Sequence, residues 1–462
     1  MTAPANRTQQ VMAVIRDRIG SRTLLAGERL PSIRRLAQTL TVSPSTVVEA
    51  YERLGAEGLI RSRPGSGFYV AGHAAPRPLG EVAPKRDRAL DPFWVSRQSL
   101  DAAPQALMPG CGWLPADWMP QAAIRKALRE IARSGDAVLS DYGSTRGSHA
   151  LRGLLARRFA EEGIDTGTDQ ILLTSSGTRA IDLICRLLLR PGETVLVDDP
   201  CYFNFQALLR AHSAEIVSVP YTASGPDLAR FADTVETSRP RLYITNSALH
   251  NPTGATLSPQ AAHRVLTIAA AQDMLIVEDD IFADLEPDPS PRLASLDGLS
   301  RVIRIGSFSK TLSASIRCGY IAAHPDLIEA LVDLQVATSF GGPSPLAAEL
   351  IHRVLIDGSY RKHLDALHRR LARARRDVSE RLAPLGIVPA LAPRGGFYLW
   401  CRLPEGADAA TVARTALEQD IVLAPGNVFS PSQSAQQMMR FNVAQMAEPR
   451  IDDVLSRALG RS

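Results

Sequence analysis

Lysine is scarce in this chain of 462 residues: among 52 basic residues only Lys85, Lys126, Lys310 and Lys362 are Lys. Chemistry that needs a primary amine therefore has few candidates. Lys310 alone sits among small hydroxyl and apolar residues, in SFSKTLSASIRCGY. Such surroundings lower the pKa of an amine and favour it as a nucleophile. An amine forms a Schiff base with an aldehyde. The aldehyde cofactor pyridoxal 5'-phosphate also needs a phosphate cradle and a carboxylate at its ring nitrogen. Ser176, Gly177 and Thr178, in TSSGTRAIDL, stand between a strand and a helix, where backbone N–H groups and the helix N-terminus hold a phosphate. Ser307, Ser309 and Arg317 add donors. Asp279 ends an apolar run in VEDDI, where a buried carboxylate calls for a cationic partner such as a protonated pyridine. Asn251, in the HNPTG turn, can reach the cofactor's phenolic oxygen, and Tyr202, in DDPCYFNF, offers a face to stack on the ring. Each residue also has a structural reading: Gly177 as a turn, Asp279 as a helix cap, Asn251 to Gly254 as a β-turn, Tyr202 as core.

A second chemistry is concentrated at the front. Residues 1–72 hold ten Arg, no Lys and five acidic residues, a net of +5, whereas the whole chain is +4 and the remainder therefore −1. Three helical segments and a hairpin fit within residues 7–70. The second helix begins at LPSIRRLAQTL, with Ser32 as cap and Ile33, Leu36, Ala37 and Leu40 as one apolar stripe. That leaves Arg34 and Arg35 outward. After the turn TVS, Ser43 caps a third helix with Pro44 at its first position and with Val47, Tyr51 and Leu54 inward. LIRSRPGSGFYVAG reads as two strands around a Gly-rich turn containing Gly67, a wing that carries Arg61 and Arg63. This is a winged helix-turn-helix, whose second helix enters the major groove of double-stranded DNA by its N-terminal end. Ser43, Ser45 and Thr46 stand there to read bases. The arginines face phosphates, which position the module more than they read sequence. Glu49 and Glu52, further along, are expected to repel phosphate, so that only the helix tip docks.

The elements that must position the amine chemistry lie beyond residue 94. QILLTSS, ETVLVDD, RLYITNS, MLIVEDD and RVIRIGS are short buried strands, with helices such as 178–189 and 259–272 between some of them. The alternation predicts an α/β domain on a largely parallel sheet. From about residue 340 the pattern turns mainly helical, and PRGGFYLWCRL with the terminal segment predicts a smaller α+β lobe. The expected organisation is a DNA-binding domain at 1–72, a Pro- and Ala-rich linker at 73–94 that contains Lys85, and a ligand domain at 95–462. The large lobe is placed at about 140–335 and the small lobe at 95–139 plus 336–462.

GERLPSIRRLAQTLTVSPSTVVEAYERLGAEGLIRSRPGSGFYV resembles the DNA-binding domain of the GntR family over residues 7–70. Residues 140–445 resemble fold-type I pyridoxal phosphate enzymes of the class I/II aminotransferase group, through YGSTRGSHALR, TSSGTRAIDL, DDPCYF, HNPTG, VEDDI, SFSKTLSASIRCGY and PRGGFYLW. Together they resemble MocR-type transcriptional regulators. The resemblance implies that Arg440, in MMRFNVAQ, binds an α-carboxylate, a task that suits a guanidinium fork. It implies that Tyr142 reaches the cofactor phosphate across a dimer interface. It also implies a homodimer that binds an operator and responds to pyridoxal 5'-phosphate or to an amino acid or amine joined through Lys310. Four positions depart from the pattern. Pro44 and Val48 stand where the recognition helix commonly carries Arg. Phe282, or Ile281 in a shifted alignment, stands where a tyrosine hydroxyl usually joins the asparagine. Arg179 replaces a neutral residue and is expected to add a positive charge near the phosphate. The last two departures favour a sensor over a working aminotransferase with an appended DNA-binding arm. A cofactor-free dimerisation scaffold is a third reading.

Composition limits the remaining classes. At 45% hydrophobic and 22% charged the chain is globular, and its length allows roughly two to four domains. No apolar run reaches the roughly 20 residues of a membrane span, and the amino-terminal stretch has no apolar signal core. Five Cys without a CxxC pair read as reduced thiols, with neither a metal site nor a disulfide framework, in a cytoplasmic protein.

Overall fold

The computed structural model describes residues 6–71 and 100–460, apart from 22, 25, 26, 104, 134 and 136. It divides into two compact units, Met1–Lys85 and Arg86–Ser462. The linker expected at 73–94, Lys85 included, lies outside the described residues.

In the first unit, helices α1 (Arg7–Gly20), α2 (Ile33–Leu40) and α3 (Pro44–Ala56) precede strands β1 (Ile60–Arg63) and β2 (Gly67–Val70). Both expected caps form: Ser32 Oγ accepts from the Arg35 amide at 3.3 Å and Ser43 Oγ from the Thr46 amide at 3.2 Å. Val47, Tyr51 and Leu54 are fully buried against Val11, Ile15 and Leu36. At about 1.5–3 kcal/mol for each large apolar side chain, this packing outweighs any single surface charge in orienting α3. Tyr51 donates to the Pro31 carbonyl at 2.9 Å and meets the edge of Phe68 at 4.9 Å, tying helix to wing. The wing pairs antiparallel from Ile60↔Val70 to Arg63↔Gly67. An unexpected backbone bridge, Arg29↔Tyr69, extends it.

The second unit is built on an eight-stranded sheet in the order β3-β10-β9-β8-β7-β4-β5-β6. The five expected strands are β3 (Ile171–Thr174), β4 (Thr194–Asp199), β7 (Leu242–Thr245), β8 (Leu275–Asp279) and β9 (Val302–Ser307). Three others join them: β5 (Glu215–Thr222), β6 (Gly225–Pro226) and β10 (Gly319–Ala322). β4, β5, β7, β8 and β9 run parallel, while β10 is antiparallel to both β3 and β9. Gly319 permits this insertion, since a Cβ there would lie 2.8–2.9 Å from Gly306, Ser176 and Gly177 backbone atoms. A second sheet, β11-β12-β14-β13, comprises β11 (Val388–Pro389), β12 (Tyr398–Arg402), β13 (Ala424–Pro425) and β14 (Met438–Asn442).

Two helices expected in the small lobe pack on the large sheet. Helices Gln121–Ile131 and Pro345–Ile356 were assigned to the small lobe. Their Ala127, Ile131, Ala348, Ile351 and Val354 belong instead to the core of the large sheet, with Leu151, Leu173 and Tyr320. Their apolar stripes are completed by that sheet, which a helical periodicity alone does not reveal. Among the described residues no helix is long and apolar enough to cross a membrane, and Cys111, Cys185, Cys201, Cys318 and Cys401 are buried and unpaired.

Candidate functional site

In a doubly wound sheet, ligands bind beyond the carboxyl ends of the strands, where loops diverge. The loops after β4, β7, β8 and β9, together with β14, border a cavity of about 220 Å³. Ser176, Gly177, Thr178, Tyr202, Asn251, Asp279, Ser307, Ser309, Lys310, Arg317 and Arg440 all line it. Tyr142 does not: it is 81% exposed and its ring packs edge-on with Phe340, at 5.1 Å.

Lys310 follows β9 and donates from Nζ to the Gly112 carbonyl at 2.6 Å. Burial, then repulsion from Arg440, lowers its pKa to about 8. Asp279 closes β8 and accepts the Ile281 amide at 3.2 Å. Burial pushes its carboxyl up to about 7, against the pull of that bond and of Lys310. Ser176 caps helix Gly177–Leu188 by accepting the Arg179 amide at 3.0 Å. The first amides of that helix have no partner within it. Ser307 Oγ lies 2.9 Å from Ser309 Oγ. Arg440, 1% exposed, donates to Asn251 Oδ1 at 2.8 Å and to the Gly110 carbonyl at 2.7 Å. Its guanidinium lies between the rings of Tyr398 and Phe429, 4.1 and 4.7 Å from their centroids, and its buried Nε makes no hydrogen bond. Asn251 sits in a turn anchored by His250, whose Nε2 is 3.2 Å from Asp198 and whose ring stacks on Tyr221 at 3.9 Å.

This donor set fits a phosphate-bearing aldehyde cofactor. A helix N-terminus with serine hydroxyls meets a phosphate, a buried carboxylate meets a protonated ring nitrogen, and an amine meets the aldehyde.

One expectation fails. Arg179 does not add charge to the cavity, because its guanidinium bonds Asp182 and Thr338 and is not among the lining residues. The carboxylate one turn along the helix claims it. Phe282 borders the cavity as a buried hydrocarbon ring against Phe397 and Tyr398, and Ile281 lines it too, so neither supplies a hydroxyl.

Two features escaped the sequence reading. The Gly110–Trp113 segment is strapped across the site: its carbonyls accept from Arg440, from Lys310 and from Asn442 Nδ2, the last bonding Trp113 at 2.7 Å. Tyr398, within the motif PRGGFYLW, also lines the cavity. The closely spaced glycines of GCGW were the available clue to the strap.

In the first unit, Arg34, Arg35, Ser43, Ser45, Arg61, Arg63 and Gly67 are exposed and Thr46 is half-buried. Ser43 Oγ lies 2.8 Å from Ser45 Oγ and 2.7 Å from Thr46 Oγ1. Arg63 covers the Tyr69 ring at 4.5 Å. Arg29, overlooked in the sequence, stands beside the wing turn: a Cβ on Gly67 would lie 3.4 Å from its Nε. Glu49, expected to repel phosphate, has partners within the unit. Glu49 accepts from Thr8 of α1 at 3.1 Å and from Arg53 at 2.6 Å.

Comparison with known proteins agrees with this geometry. The model of aminotransferase class I and II matches residues 115–457, and that of bacterial regulatory proteins, gntR family, matches residues 7–70. The HTH-type transcriptional regulator YdcR of Escherichia coli is 30% identical over 453 residues, 94% of each chain. A 2-aminoadipate transaminase of Thermus thermophilus is 29% identical over 360 residues, 76% of this chain and 88% of its own. The crystal structure of LysN, an α-aminoadipate aminotransferase of Thermus thermophilus complexed with N-(5'-phosphopyridoxyl)-L-leucine, matches with a TM-score of 0.71 at 26% identity, covering 79% of this chain and 94% of that one. The chain belongs to the aminotransferase class I and II family, carried behind a gntR-family regulatory domain in the layout of MocR-type transcriptional regulators.

Proposed function

We propose that the protein is a DNA-binding transcriptional regulator that holds pyridoxal 5'-phosphate at Lys310 and responds to an amino acid or amine arriving there. The observation that carries this reading is the meeting of Lys310, Asp279, the Gly177–Leu188 helix N-terminus and Arg440 in one cavity. When bound, the cofactor supplies an aldehyde that reacts with amines and a ring that withdraws electrons. Lys310 holds it, with a pKa of about 8 that keeps part of the amine neutral. Asp279 faces the ring nitrogen and holds its proton. Ser176, Gly177, Thr178, Ser307, Ser309 and Arg317 receive the phosphate, Tyr202 stacks on the ring and Asn251 reaches the phenolic oxygen. Arg440 takes the effector carboxylate.

The regulator works as a cytoplasmic homodimer in which Tyr142 completes the partner's phosphate site. Arg34, Arg35, Arg61 and Arg63 bind operator phosphates, while Ser43, Ser45 and Thr46 meet base edges. Effector binding and operator binding are linked, so each changes the affinity of the other by the same factor.

A mobility shift on the gene's own upstream DNA, with and without pyridoxal 5'-phosphate and a panel of amines and amino acids, tests the reading. Operator affinity should change with at least one of them, and affinity indifferent to all of them sinks it. Lys310→Ala should abolish the bound chromophore.

A catalytic reading is favoured by one fact: Lys310, Asp279 and Arg440, the groups needed for minimal amino-group transfer, are all present at the cavity. Rapid multiple turnover of a common amino acid to its keto acid would establish it over sensing alone.

A further inference from the structure

Tyr398 is 6% exposed, and its side chain lines the cavity. Among the described residues its hydroxyl makes no hydrogen bond, whereas Tyr51 bonds Pro31, Tyr243 bonds Asp198, and Tyr360 bonds Thr311 and Asp284. A phenol hydroxyl that opens onto a cavity is free to bond a ligand there.

Its position is set by the strands that carry Arg440. In the β12–β14 pair, Tyr398 is opposite Asn442 and Trp400 is opposite Arg440. Side chains alternate along a strand, so Tyr398 and Arg440 share one face as diagonal neighbours. The guanidinium rests 4.1 Å above the phenol ring. On the other side is the strap. A Cβ placed on Gly112 would lie 3.3 Å from the Tyr398 hydroxyl and 3.8 Å from Lys310 Nζ. Gly112 thus leaves open a space bounded by a phenol and an amine, with Arg440 beside the phenol.

We propose that Tyr398 is a specificity-determining residue of the effector subsite, its hydroxyl donating to the carboxylate that Arg440 holds while the ligand's amine faces Lys310. The proposal rests on the functional reading above and adds to Arg440 a second donor for the carboxylate, which sharpens the preference for α-amino acids over amines without one. The hydroxyl does not replace the one absent at Phe282. Asn251, the residue expected at the phenolic oxygen, receives Arg440 Nη1, whereas Tyr398 packs on the guanidinium face and opens toward Gly112.

The test uses full-length protein loaded with pyridoxal 5'-phosphate and matched probes: L-leucine with 3-methylbutylamine, and L-phenylalanine with 2-phenylethylamine. Binding is read from the shift in the cofactor's absorbance and, independently, from the change in thermal midpoint. Tyr398→Phe keeps the ring under Arg440 and removes only the hydroxyl. It should weaken the amino acids about tenfold, leave the amines within twofold, and leave the ligand-free spectrum and cofactor retention unchanged. Gly112→Ala should weaken the amino acids at least as much by filling the space. If Tyr398→Phe weakens amino acid and amine alike, or changes the ligand-free spectrum while amino-acid affinity holds, Tyr398 serves the cofactor and the proposal is overturned. A wild-type protein that retains cofactor yet takes neither member of either pair overturns the effector reading, and this inference with it.

Discussion

Lys310 and Asp279 deviate from their ordinary pKa values in opposite directions for the same reason, burial, and each deviation has a measurable consequence. With its amine lowered to about 8, Lys310 gains nucleophilic free base as pH rises through that value. Cofactor uptake by cofactor-free protein, followed by absorbance, should therefore accelerate with a midpoint near pH 8. Asp279 is raised to about 7 from 3.8. In cofactor-free protein the folded state keeps a proton that the unfolded chain has already released, so stability is greatest below about 4 and declines as pH climbs to about 7. Asp279→Asn should abolish that decline. Its advantage in thermal midpoint should be absent near pH 4, grow through the window and level off above 7, and an advantage that does not vary with pH would remove the burial argument. The same substitution should weaken cofactor retention, because the ring nitrogen loses its anionic partner. Most of this chemistry was legible in the sequence because each residue ends a strand or opens a turn with a recognisable motif. Tyr398 and the strap were not, because their roles arise only when β12, β14 and residues 110–113 meet. Arg179 misled for a related reason: the charge was visible in the sequence, but its capture by Asp182 and Thr338 was not.

Among elements, α3 and β8 show how local positions are held. Ser43 caps α3 and stands at the tip proposed to read DNA. Ser43→Ala should cost about 1 kcal/mol of stability in the first unit, measured by denaturant unfolding, besides any loss of operator affinity. Arg63→Ala removes a wing charge without touching a cap. It should weaken binding across DNA sequences and reduce the slope of log affinity against log salt by about 0.9 if it neutralises one phosphate, and an unchanged slope would move the wing away from the DNA backbone. Behind β8, Asp280 bonds Arg292 at 2.9 Å and Arg304 at 2.6 Å, and Arg304 also meets Glu162 at 2.6 Å. Removing one member of such a buried network strands charge. Asp280→Ala should cost about 3–5 kcal/mol, seen as a lowered unfolding midpoint of the second unit. The central parallel strands could be read from their unbroken apolar runs. β5, with polar residues and Pro220, lacks such a run. Tertiary pairing, not composition, makes it a strand.

For the molecule as a whole, the charge split follows the division into two units. The surplus of arginine belongs to the helix-turn-helix and its wing, and the near-neutral remainder folds around the ligand cavity. Yet the tip of α3 carries Pro44 and serines, not arginine, so the polar groups it offers there are hydroxyls. Two helices expected in the small lobe complete the core of the large sheet. The strap has one more consequence, in time. Gly110 and Arg440 are 330 residues apart in sequence, and Trp113 and Asn442 are 329 apart. The bonds that close the cavity therefore need nearly the whole second unit, whereas the winged helix is complete at Val70. At about 5–20 residues per second, a ribosome needs on the order of 20–75 s to travel from β2 to β14. The nascent chain holds a finished DNA-binding unit throughout that interval, before it can hold an effector.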